Sequence, residues 1–135
     1  MLRTKSDKKS LSTLIKEADG VFSEYVRRTR ADDNGRIKCL ICGAEVKWKE
    51  ADAAHCFDRD NMATKYEILN VWPTDEGCNR FDDKHRDRYR EALKMMIGEH
   101  AFSRLENQSR SLQKFFPWEI EGMIADWKSA LKKLR

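Results

Sequence analysis

The stretch Cys39-Leu40-Ile41-Cys42-Gly43 limits the possible folds of this 135-residue chain more than any other feature. Zinc takes four N, S or O ligands in a tetrahedron, and small folds supply them as two pairs. Cys39 and Cys42 make one pair on a knuckle, and Gly43 supplies the turn because glycine tolerates positive φ. The chain has only two other cysteines, Cys56 and Cys78, and no second C-x-x-C. The residue three before Cys78 is Asp75, and a carboxylate ligates zinc at about 2.0–2.2 Å. Spacing therefore favours Cys39, Cys42, Asp75 and Cys78 as the zinc ligands. Cys56 is the alternative to Asp75, because thiolate is the softer ligand. Another group as fourth ligand, or four buried thiols without metal, are the remaining readings.

The residues are 40% hydrophobic and 37% charged, against about 25% charged in an ordinary domain. Such a chain has a thin core and gains from a stapling metal. Its length suggests a single domain over 1–135. The net charge is +4, with basic residues at Arg3, Lys5, Lys8 and Lys9, at Arg27, Arg28 and Arg30, and at Lys128, Lys132, Lys133 and Arg135. Such faces suit a phosphate backbone, and they equally describe solvated helices. The N-terminus has no apolar signal core, and no run approaches the ~18 apolar residues of a membrane span. The expectation is a cytoplasmic protein with no membrane partner, where cysteines at these spacings mean metal rather than disulfides.

Residues 1–9 read as a basic tail. Leu11, Leu14, Ile15, Ala18, Phe22, Tyr25 and Val26 form one helical stripe, giving a helix over 10–31 with Ser10 as N-cap. Residues 37–57 read as a hairpin through the knuckle and strand-like Glu45–Trp48, and residues 58–77 as an irregular loop. A charged helix starts at Asn79, with Tyr89, Leu93, Met96 and Ile97 on one side, and ends near Gly98. A last helix starts at Pro117, a favourable first-turn residue, with the stripe Ile120, Ile124, Trp127, Leu131 and Leu134. The expected fold class is α+β and mostly α. A zinc-stapled core over 36–98 lies between an N-terminal helix and a C-terminal helical region over 99–135.

A cysteine knuckle, a strand ending in histidine and a helix entered through Cys-Asn resemble the HNH, or ββα-metal, nucleases, including zinc-stapled endonuclease VII. The order of Ala18-Asp19, Phe22, Tyr25, Arg27, Cys39, Cys42, Asp52-Ala53-Ala54-His55, Asn70-Val71, Cys78-Asn79, Tyr89-Arg90, Leu93 and Gly98 most resembles the phage NinG/Rap family of recombination nucleases. The resemblance implies a ββα-metal core and a structure-selective endodeoxyribonuclease acting on branched intermediates such as Holliday junctions and D-loops. It also implies a homodimer in the bacterial host cytoplasm, working beside recombination proteins. A non-catalytic zinc-finger DNA-binding protein and an HNH nuclease cutting duplex DNA are the alternatives.

Phosphodiester hydrolysis needs a water deprotonated near neutral pH, a task for histidine. It also needs a divalent cation to stabilise charge on the phosphate and the leaving oxygen. The expected assignment is His55 as general base, with Asp52 and Asn79 as oxygen ligands of catalytic Mg²⁺ or Mn²⁺. Structural Zn²⁺ sits at the cysteines. Two departures stand out: Asp75 replaces a cysteine of the family pattern, and Ala54 occupies the place of endonuclease VII's metal-binding aspartate. Asp52 lies three residues before His55, so a regular strand would turn it to the other face unless a bulge intervenes. Asp58 and Asp60 are reserves, His85 is a further candidate near either metal, and His100 is incidental.

Overall fold

The computed structural model describes residues 9–58, 60–79 and 83–134, with the side chains of residues 79 and 83–85 outside that description. It is mixed α and β and mostly helical. The chain is grouped into two compact units, residues 1–25 with 115–135, and residues 26–114.

The first unit is helical. Helix α1 (Leu11–Thr29) begins where the backbone N–H of Thr13 donates to Ser10 Oγ at 3.2 Å. Within this unit α1 buries Leu14, Ala18 and Phe22, spaced at four residues along one stripe. Helix α6 (Pro117–Lys133) buries Ile120 and Ile124 and sets Trp127 against Phe22, ring centroids 4.8 Å apart. Its start is the expected one: Pro117 is in the first turn, and Glu119 Oε1 accepts the Phe116 N–H at 3.0 Å.

The second unit holds two antiparallel two-stranded sheets. Strands β1 (Arg36–Lys38) and β2 (Glu45–Lys47) flank the knuckle, with Ile37 opposite Val46. Gly43 has φ +79°, and its N–H closes the turn onto Cys39 O at 2.9 Å. Trp48 lies beyond β2 and opens a 3-10 turn over Trp48–Glu50. Strand β3 (Asp52–His55) pairs with β4 (Val71–Thr74), His55 opposite Val71.

That pairing corrects two expectations. The hairpin read over 37–57 ends at Lys47, and β3 finds its partner in the segment read as an irregular loop. That segment contains a helical turn α2 (Met62–Lys65), a 3-10 turn at Ile68–Asn70 and then β4. Pro73 has no N–H to donate to a ladder, yet β4 is half of a two-stranded sheet, where a missing N–H is tolerated. The helix expected from Asn79 is also different. A short α3 (Glu76–Asn79) precedes α4 (Asp83–Ile97), and α5 (Glu99–Ser109) follows the positive-φ Gly98. The core of this unit gathers Ala54, Phe57, Leu93, Phe102 and Leu105, while Met96 faces outward. No helix among the described residues is long and apolar enough to cross a membrane.

Candidate metal centre

The knuckle and the β4–α3 junction bring one ligand atom each from Cys39, Cys42, Asp75 and Cys78 within 4.8 Å of one another. Among the described residues this is the one such group of three or more His, Cys, Asp or Glu side chains. Asp75 is placed by the helix it caps. Its Oδ1 accepts the Cys78 backbone N–H at 2.9 Å, leaving Oδ2 to accept from the Cys42 thiol at 2.9 Å. Gly77 keeps this approach open, because a Cβ there would meet Asp75 Oδ1 at 3.1 Å.

The electrostatics fit a cation. Burial opposes ionisation of Cys39, but backbone N–H groups of Cys42, Asp75 and Ile41 outweigh it and hold that thiol below its usual range. The thiol of Cys42, donating to Asp75, is held above its usual range, and burial with its sulfur neighbours pushes Cys78 up to about 12. The same Cys42 contact, with the Cys78 N–H, holds the Asp75 carboxyl below its usual range. Three thiols and a carboxylate so close together cannot all ionise unaided. A zinc dication would supply the missing positive charge and deprotonate bound thiols outright.

Cys56 is not part of the group. It is buried among Ala54, Phe57, Tyr89 and Leu93, where burial pushes its thiol up to about 12. Cys56, the alternative to Asp75, thus lies in the core and outside the group of four ligand atoms.

His55 ends β3 and is half-buried, with Nε2 2.9 Å from the Lys65 carbonyl oxygen. A carbonyl only accepts, so Nε2 carries the proton in the neutral ring and Nδ1 carries the lone pair. Two buried polar side chains hold this strand end. Asn70, with no exposure, accepts from Phe57 N at 2.7 Å and donates to Phe57 O at 3.1 Å and Thr64 O at 3.0 Å. It thereby ties the segment after His55 to the turn presenting the Lys65 carbonyl. Tyr89 reaches from α4 between the strands, donating to Ala54 O at 2.5 Å and accepting from Trp72 N at 3.1 Å. The sequence alone assigns neither residue this bridging role; a lone amide at the entrance to an apolar strand is the signal for Asn70.

The other sequence candidates are dispersed. Strand β3 keeps continuous register with β4, with no bulge, so Asp52 shares the side of Ala54 and His55 that of Ala53. The bulge that would bring Asp52 to His55 is absent. Helix α3, which ends at Asn79, packs against β3. The side chains of Asn79 and His85 lie outside the described residues. Asp58 is exposed and its Oδ1 takes part in a local turn with Asp60 N, while His100 lies exposed on α5. Arg30, read as part of a basic face, turns inward. Its guanidinium lies 3.4 Å from the Trp72 ring centroid and donates to Val71 O at 2.8 Å and Ile68 O at 2.9 Å.

A family model described as Bacteriophage Lambda NinG protein matches residues 2–135. No curated protein and no solved structure matches the chain.

Proposed function

The chain belongs to the bacteriophage lambda NinG family, and from that premise we propose a metal-dependent endonuclease that hydrolyses phosphodiester bonds in branched DNA recombination intermediates. The observation that carries this reading is His55. Its Nε2 is fixed by the Lys65 carbonyl at 2.9 Å, on a strand packed against the helix bearing Cys78 and Asn79.

Cys39, Cys42, Asp75 and Cys78 would hold a structural zinc that ties the knuckle to the start of α3. Within the site, Nδ1 of His55 takes a proton from the attacking water, while Asn70 and the Lys65 carbonyl keep the ring oriented. By the family resemblance Asn79 would hold a catalytic Mg²⁺ or Mn²⁺, which would supply positive charge to the phosphate and the leaving oxygen. Asp52 lies on the side of β3 opposite His55, so Asp58 and Asp60 stand beside it as candidate carboxylates for that ion. A homodimer working beside recombination proteins in the host cytoplasm suits a symmetric junction with two cuts.

Cleavage of a synthetic four-way junction and a linear duplex, with and without Mg²⁺, tests the reading. The expected result is Mg²⁺-dependent cutting of the junction, reduced roughly 10²–10⁴-fold in His55→Ala with zinc content and junction binding intact. Full activity in His55→Ala would overturn it. Junction binding without any cutting would favour a non-catalytic zinc-stapled DNA-binding protein, the reading supported by the placement of Asp52. Equal cutting of linear duplex would point to a general HNH nuclease.

A further inference from the structure

The outer face of the β1–β2 hairpin is strongly basic in a way its own stability does not favour. Arg36 stands directly opposite Lys47 in the register, and both are exposed. Like charges directly opposite one another destabilise a strand pair. On the same face Lys38 opposes Glu45, while Ile37 is buried and Val46 half-buried on the other face.

Trp48 extends the ladder past that pair, its N–H donating to Gly35 O at 3.0 Å. Three more cations collect on its indole. The guanidinium carbons of Arg27 and Arg28 each lie 5.4 Å from the ring centroid and Lys49 Nζ lies 5.7 Å from it. Arg27 is held in place by donating to Trp48 O at 3.2 Å. An indole attracts cations singly, but it does not cancel the repulsion among several. The hairpin and its flanks also carry exposed acids. Asp32 Oδ1 accepts the Asn34 and Arg36 backbone N–H groups at 2.9 and 3.0 Å, and Asp33, Glu45 and Glu50 are exposed.

We propose that this face is a docking surface for the DNA backbone, with phosphates seated between Arg36 and Lys47 and beside the Trp48 cluster. The proposal rests on the DNA-directed reading above and adds where the strand is gripped. A chain of regularly spaced phosphates offsets the repulsion between Arg36 and Lys47, and the indole offers a surface for a base or sugar. The hairpin is the one anchored by the knuckle, so a structural metal there would also fix the spacing of the phosphate-binding groups.

The test is fluorescence anisotropy of a labelled four-way junction without Mg²⁺, at salt from roughly 50 to 200 mM. Arg36→Gln/Lys47→Gln should lower the slope of log K against log salt by about 1.8, near 0.9 for each phosphate no longer neutralised. Lys47→Glu should weaken binding further while raising the melting temperature of the free protein, because it turns a like-charge pair into an opposite-charge one. An unchanged slope in the double variant overturns the proposal, as does failure of the wild type to bind DNA. Should Lys47→Glu melt lower, the exposed Lys49→Gln is read by the same slope, and an unchanged value there overturns it too. Vesicles of phosphatidylcholine and phosphatidylserine that bind with the same dependence on Arg36 and Lys47, and more tightly than DNA, would assign the face to a membrane instead. His55→Ala should keep the wild-type slope. A wild type that cuts nothing yet shows the expected slopes would sink the nuclease reading and leave this surface standing.

Discussion

The two small sheets of the second unit solve one problem by different chemistry. A two-stranded ribbon is marginal in water, and both β1–β2 and β3–β4 are short. The first encloses the knuckle and is placed to be held by a metal through Cys39 and Cys42. The second contributes no sulfur to the centre. It is held by the buried side chains of Asn70 and Tyr89 and by the apolar core around Ala54, Phe57 and Leu93. The hairpin beside the candidate metal centre presents exposed charge, and the sheet held by buried amide and phenol groups presents His55. If His55 is the general base proposed above, the second solution suits it, because hydrogen bonds to backbone fix orientation as well as position.

The largest test separates the sheets by metal. Cys39→Ser or Cys78→Ser should abolish zinc binding and melt the β1–β2 hairpin, read by metal analysis and amide exchange. Structural zinc supplies on the order of 10–16 kcal/mol of apparent binding energy, comparable to a small domain's whole stability. Asp75→Ala should weaken zinc retention and loosen the start of α3 together, since one carboxylate serves both. Cys56→Ala should keep full zinc content. A protein that is metal-free and equally stable after chelation would remove the distinction between the two sheets.

What the sequence disclosed follows the same division. The Cys39–Cys42 and Asp75–Cys78 grouping was legible because each pair is local, three residues apart, and only their union is long-range. Helix α1 was legible from its stripe, and Leu14, Ala18, Phe22 and Val26 are its buried positions. Strand β4 was not, because Pro73 and the adjacent turns give no alternation and the strand exists only opposite β3. The side of β3 that Asp52 occupies depends on whether a bulge forms, which its own residues leave open. Asn70 was legible as a lone amide before a strand, but its partners, Phe57 and Thr64, were not, because they are set by the path of the loop rather than by spacing.

The second sheet should fail without losing metal. Asn70→Ala strips partners from Phe57 N, Phe57 O and Thr64 O, at a cost on the order of 3–5 kcal/mol. Zinc content should be unchanged wherever the chain remains folded. Chemical denaturation beside metal analysis checks this, and joint loss of zinc and stability would show the sheets to be one cooperative element. Tyr89→Phe removes only the hydroxyl bridging Ala54 O and Trp72 N, for about 1–3 kcal/mol. Amide exchange should quicken at Trp72 and leave the knuckle residues unchanged.

The smallest effect belongs to the helical unit, which is held neither by sulfur nor by buried amides. Glu17 on α1 accepts from Lys9 Nζ at 2.6 Å and from Lys128 Nζ on α6 at 3.1 Å. These two contacts hold its carboxyl below the usual range. A carboxyl depressed in the folded state stabilises the fold above its unfolded pKa, near 4.3. That contribution is lost as pH falls through the depressed folded value. Glu17→Gln should therefore cost about 0.5–1 kcal/mol at neutral pH and low salt. The difference from wild type should shrink below pH ~4 and at high salt, where the pairs are screened. Parallel unfolding curves for the two proteins at neutral and acid pH measure it. If the difference instead persisted unchanged into acid, the contacts of Glu17 would be acting through packing rather than charge, and the helical unit would resemble the β3–β4 sheet in how it is held.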